Sequence, residues 1–138
     1  MFGTKKKAKK RTVLFVEHDE EILRSLERGL LGKSYNKLFA KSGEEALKIT
    51  QQEEVHVIVA DMCIPEMTGL ELLRAVRKEF PGIIGIIITG YGEDNELQKA
   101  VEHGEILKFV PKPWKFGLVE LESLVRRAIR DINIQLKQ

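Results

Sequence analysis

A chain of 138 residues suits one domain around one core. Its 43% hydrophobic and 32% charged residues exclude a disordered composition. The apolar runs fall far short of the ~20 residues a membrane helix needs. The net charge of +2 misleads about partners. Six of the 23 Lys/Arg and none of the 21 Asp/Glu fall in residues 1–11, so the rest holds 17 basic against 21 acidic side chains, a net of −4. The basic stretch is read as a solvated, disordered tail, with contact to nucleic acid or anionic lipid as the rival reading. It lacks the apolar stretch and cleavage site of a signal peptide, and the single Cys63 has no internal disulfide partner. Both features point to a cytoplasmic protein.

Apolar runs rich in β-branched residues alternate with helical patterns along the chain. "TVLFVE" (12–17) reads as a strand. The helix after it places Ile22, Leu23, Leu26 and Leu30 on one face, with Asp19 as its cap and Gly32 as its end. "KLFAK" (37–41) is a second strand, and Ser42 caps a second helix with Glu residues in its first turn. "VHVIVAD" (55–61) is the third strand. "GLELLRAVRKEF" follows as a helix, with Leu70, Leu73, Val76 and Phe80 at helical spacing and a stop at Pro81–Gly82. "IIGIIITG" (83–90) is the fourth strand, a short helix closes at Gly104, and "EILKFVP" (105–111) is the fifth strand. From Lys115 a helical pattern runs almost to the end.

Five strands alternating with five helices predict an α/β fold, a doubly wound parallel sheet with helices on both faces. The third and fourth strands are nearly all apolar, which places them at the covered centre. Ligands of such sheets bind beyond the carboxyl ends of the strands. At those ends stand Glu17, His18 and Asp19; Asp61; Thr89 and Gly90; and Lys112 with Pro113. Clustered carboxylates are best offset by a hard cation with oxygen ligands, Mg²⁺ above all. A lysine and a threonine opposite it suit a phosphoryl group, and an aspartate can itself be the nucleophile that forms an acyl phosphate. The residues themselves therefore describe a carboxylate site able to handle phosphate.

"LFVEHDEEILRSL", "VIVADMCIPEMTGLELLRAVR", "IIITGYG" and "FVPKPW" resemble the receiver domain of two-component response regulators, over roughly Thr12 to Ala128. The D-M-x-x-P-x-M-x-G segment from Asp61 to Gly69 and the Lys112–Pro113 pair carry the resemblance. It implies a flavodoxin-like fold with strand order 2-1-3-4-5. The implied domain covers residues 12–130, with 131–138 as a helical extension or linker. Asp61 becomes the phosphoryl acceptor, supplied by a sensor histidine kinase or a histidine phosphotransfer protein. Thr89 binds the phosphate and shifts on activation, Lys112 pairs with it, and Phe109 is the aromatic that swings inward. Mg²⁺ is held by Glu17, Asp61 and the backbone carbonyl of Cys63, with His18 an open member of the set. The Lys112–Pro113 bond is expected to be cis, and Gly69 ends the loop after Pro65. The chain is expected to be a phosphorylation switch and not a turnover enzyme.

One departure from the resemblance matters. The family usually has two adjacent acids after the first strand, where this chain has Glu17–His18. Imidazole is a poor ligand for Mg²⁺ and a better one for softer ions. Three readings stay open. His18 stands outside the metal's own ligands while Glu17 carries it; or the site has lost strong Mg²⁺ affinity; or it takes a transition metal. The second makes the chain a phosphorylation-impaired docking module.

Other residues have plainer readings. His56 is a partly buried structural residue within the third strand, and His103 suits a helix C-terminus. Met62, Met67, Tyr91 and Trp114 sit over the mouth, as partner surface or as ordinary packing. Leu118, Leu121, Val125, Ala128 and Ile132 form a stripe on the last helix, read as packing on the sheet or as a seam for a homodimer. A flavodoxin-like cofactor binder is disfavoured because no Gly-rich phosphate loop follows the first strand. Nucleic-acid binding by the folded body is disfavoured by its negative charge.

Overall fold

The computed structural model describes residues 10–90, 94–112 and 118–136. The elements run β1 (Thr12–Val16), α1 (Glu20–Gly29), β2 (Asn36–Ala40), α2 (Gly43–Gln52), β3 (Val57–Asp61), β4 (Cys63–Ile64), β5 (Met67–Thr68), α3 (Gly69–Glu79), β6 (Ile84–Thr89), α4 (Asn95–Glu102), β7 (Lys108–Pro111) and α5 (Val119–Leu136). The long strands form one parallel sheet in the order β2-β1-β3-β6-β7, which is 2-1-3-4-5 among the five. The doubly wound reading is correct. The two-residue strands β4 and β5 form an antiparallel hairpin that the sequence reading lacked.

Side chains alternate across each strand, so each central strand feeds two cores. Leu14, Val16, Ile58, Ala60 and Ile87 pack with Ala46 of α2, Leu70 and Leu73 of α3 and Leu97 of α4. Val13, Phe15, Val57, Val59, Ile86 and Ile88 pack with Leu26 of α1 and with Leu121, Val125 and Ala128 of α5. This is why β3 and β6 read as unbroken apolar runs: neither face meets water. The α5 stripe is likewise taken up by the sheet, with Leu121, Val125, Ala128 and Ile132 all buried.

The predicted caps are present. Asp19 accepts from the N–H groups of Glu21 and Ile22, and Ser42 from that of Glu45. Two further caps occur at Asp94 and at Thr68, where Thr68 and Glu71 form a reciprocal capping box.

Several boundaries differ. α1 ends at Gly29, and Gly32 lies beyond it in the turn at φ +80°. β1 stops at Val16, β2 begins and ends one residue early, β6 covers Ile84–Thr89, and β7 begins only at Lys108. His56 precedes β3: its N–H donates to the Thr12 carbonyl and its ring Nδ1 accepts from the Thr12 N–H at 3.0 Å. That pairing holds His56 at the threshold of the ladder, which opens at Val13↔Val57. The expected cis Lys112–Pro113 bond, Tyr91, Trp114, the helix start at Lys115 and most of the basic tail lie outside the described residues.

Candidate functional site

The parallel sheet sends the carboxyl ends of β1, β3 and β6 to one edge of the molecule. β1 delivers Glu17, whose N–H donates to the Ala40 carbonyl at 3.0 Å, and its side chain is buried. β3 ends on Asp61, also buried. In register, Asp61 pairs with Ile88 of β6, so Thr89 stands one residue further on, fully buried. Thr89 pairs with Pro111 of β7, and its carbonyl accepts from the Lys112 N–H at 2.8 Å. The backbone thus sets Lys112 beside the end of β6 before its side chain is considered.

That side chain joins the two acids. Lys112 Nζ lies 3.0 Å from Asp61 Oδ2 and 3.3 Å from Glu17 Oε2. Glu17 Oε1 accepts from the Asp19 N–H at 3.0 Å, and Asp61 Oδ1 from the Cys63 N–H at 3.4 Å. An isolated buried carboxylate is too costly to keep charged, and here each has a cation and a backbone donor. Burial raises the Glu17 pKa and the charge of Asp61 adds to this; the Asp19 N–H and Lys112 oppose both. Burial pulls the Lys112 ammonium down, but its hydrogen bond and attraction to Asp61, then to Glu17, leave it raised overall. The ammonium is thereby held charged against the carboxylates.

Gly69 has a sharper role than ending a loop. A Cβ there would lie 2.3 Å from the Asp61 carbonyl oxygen. The Gly69 N–H donates to the Met62 carbonyl at 2.9 Å. Only glycine lets the start of α3 come this close to the backbone that carries Asp61. Between them the β4–β5 hairpin turns tightly, with Glu66 at φ +69°.

Of the residues predicted for the site, Glu17, Asp61 and Lys112 meet directly, Cys63 touches Asp61 through its N–H, and Thr89 adjoins through the backbone. His18 is exposed, and Cys63 also exposes its thiol. Phe109 is half-buried on β7 and packs against the core beneath α3 and α4. Met62 is buried in that core and Met67 packs on it, so these two serve packing. The sequence reading missed the Thr68–Glu71 cap that anchors α3 below the site, although its T-x-x-E spacing was there to be read.

Two buried carboxylates are a hard-oxygen donor set of the kind Mg²⁺ takes, since that ion ordinarily uses one or two carboxylates and keeps several waters. Among the described residues no group of three or more His, Cys, Asp or Glu is placed to hold a metal. The two carboxylates present fit a water-rich Mg²⁺ site.

A response regulator receiver domain family model matches residues 13–126. The chain belongs to this family. Receiver domains are phosphorylation-switch modules of two-component signalling. The receiver is 37% identical over 123 residues to the sensor kinase CckA of Brucella abortus, and 33% identical over 127 residues to the hydrogenase transcriptional regulatory protein HoxA of Cupriavidus necator. These matches cover 86% and 92% of the chain but span only 12% and 26% of the two relatives' lengths. Among solved structures, the signal receiver domain of an HD domain-containing protein from Pseudomonas fluorescens superposes with a TM-score of 0.82. It is 28% identical, and the match covers 91% of this chain and 98% of that one. No helix among the described residues is long and apolar enough to cross a membrane.

Proposed function

We propose that Asp61 is the phosphoryl acceptor of this receiver and that the donor is a phosphohistidine on a sensor kinase or phosphotransfer protein. In the transfer an Asp61 carboxylate oxygen attacks phosphorus. The new P–O bond forms as the P–N bond breaks, and the histidine nitrogen keeps the electron pair. The supporting observation is the 3.0 Å contact between Lys112 Nζ and Asp61 Oδ2, which fixes a cation where the transferred charge arrives. Acyl phosphate formation adds about −1.5 to −2 charge if it follows the tabulated phosphorylated side chains.

Glu17, Asp61 and the Cys63 carbonyl would hold Mg²⁺, which offsets the charge on the phosphoryl oxygens when bound. Thr89, buried beside Lys112, donates its hydroxyl to the phosphoryl group, and its shift opens the space that Phe109 takes. Phosphate acts by favouring one of two pre-existing arrangements of the surface around β6 and β7.

The test is incubation of the full chain with a small phosphodonor and Mg²⁺, read by intact mass. The wild type is expected to gain one phosphoryl group and Asp61→Asn none. A second reading, a phosphorylation-impaired docking module, draws on the exposure of His18, which leaves Glu17 as the acid from that segment inside the site. An unmodified wild type, with a competent receiver modified in parallel, would favour that reading over the first.

A further inference from the structure

At the opposite end of the sheet a cleft of about 390 Å³ opens between the C-terminal half of α5 and the connection from α1 to β2. Ile129 and Ile134 of α5 and the ring of Tyr35 supply its apolar lining, and Arg126, Arg130, Asn133 and Ser34 its polar groups. Its charged side chains are both cationic and no acid lines it, while Asn133 Oδ1 accepts from Arg11 Nε at 2.8 Å. Arg126 Nε is engaged with Glu122 at 3.1 Å, while Arg130 is exposed and has no ion pair among the described residues. Lys37 Nζ lies 5.1 Å from the centre of the Tyr35 ring and adds positive charge nearby.

Two further observations set this cleft apart from an ordinary solvated face. The Tyr35 hydroxyl is buried without a hydrogen-bond partner, and such orphaned groups are uncommon. The large exposed apolar side chains among the described residues are Leu31, Val119 and Ile134, and Ile134, 52% exposed, lines the cleft. Apolar anchors beside the exposed Arg130, which has no ion pair among the described residues, complement a segment with apolar and acidic side chains.

We propose that this cleft docks an acidic, apolar peptide segment of a partner protein, with its apolar side chains on Ile129, Ile134 and Tyr35 and its carboxylates on Arg130 and Arg126. The surface lies away from Asp61, so the docked segment and a phosphodonor can be bound together.

The test is selection of binders from a random displayed peptide library against the full 138-residue chain. Selected peptides are then measured on Arg130→Glu and Ile134→Asp, both substitutions of exposed residues, with folding checked by circular dichroism. The expected result is enrichment of peptides combining Asp/Glu with Leu, Ile or Phe, whose affinity falls about tenfold or more in each variant. Peptides without acidic enrichment, or peptides that bind both folded variants as tightly as the wild type, would overturn the proposal. So would light scattering that shows a dimer dissolved by Arg130→Glu, since the cleft would then be occupied by a second copy.

Discussion

Replacing Lys112 by Met keeps most of the apolar stem and removes the ammonium that joins Glu17 to Asp61. At separations of 3.3 and 3.0 Å, and an effective dielectric of about 20, each attraction is worth about 5 kcal/mol. Dehydration of the ammonium, several kcal/mol, disappears with it. The remaining acids, buried and of like charge, are left facing each other, and breaking a buried pair in this way ordinarily costs about 3–5 kcal/mol. Because the Lys112 side chain keeps 19% of its exposure, water relieves part of this, and the expected loss is about 2–4 kcal/mol. With a urea slope of about 2 kcal/mol/M, the unfolding midpoint should fall by about 1–2 M. In an Asp61→Asn background the same substitution should cost at least about 1 kcal/mol less, because one of the repelling charges is already gone. An unchanged midpoint, or an equal cost in both backgrounds, would refute the reasoning that charge compensation by Lys112 holds the site together.

Gly69→Ala forces a Cβ against the Asp61 carbonyl and should cost about 1–3 kcal/mol in urea unfolding, with slower phosphorylation; wild-type stability would contradict the close approach. The Tyr35 pKa is raised to about 12, by burial and then by the charge of Glu122, so the folded state keeps a proton that the unfolded chain loses from about pH 10. Stability from this group is therefore present below pH 10 and lost as pH rises toward 12, by about 3 kcal/mol in all. Comparing the wild type with Tyr35→Phe by urea unfolding across that window should show a loss larger by about that amount in the wild type, the contribution of Lys112 being common to both. His18→Asp should strengthen Mg²⁺ binding, followed by the fluorescence of Trp114; equal affinities would show that His18 is neutral toward the metal. Arg74, in a forked contact with Glu105 but 46% exposed, should cost less than about 1 kcal/mol when changed to Ala.

The topology was legible because periodicity and strand burial agree: the unbroken apolar runs of β3 and β6 could belong only to central strands. Asp61 and Lys112 were legible as residues that end strands on one edge of a parallel sheet, and the backbone register then brought them into contact. What stayed hidden depended on close approach and not on pattern. The exclusion of a side chain at Gly69 arises from the Asp61 carbonyl, eight positions earlier in the chain, and no local spacing announces it. His56 has the residues of a strand around it, yet its ring spends a nitrogen on the Thr12 N–H and marks the strand's beginning instead. Glu17 was placed among the site acids, but its burial and its bond to the Asp19 N–H appear only once β1 is seated between β2 and β3. The α5–Tyr35 cleft was invisible for the same reason, since its two walls are far apart in sequence.

The most direct measurement locates the phosphoryl group itself. After treatment with phosphodonor and Mg²⁺, borohydride reduces an acyl phosphate and converts the modified aspartate to homoserine, which peptide mass spectrometry can place. Conversion at Asp61 and nowhere else is the predicted result. Homoserine at Asp19, or reduction of another carboxylate such as Glu17 to its own alcohol, with Asp61 intact, would contradict it.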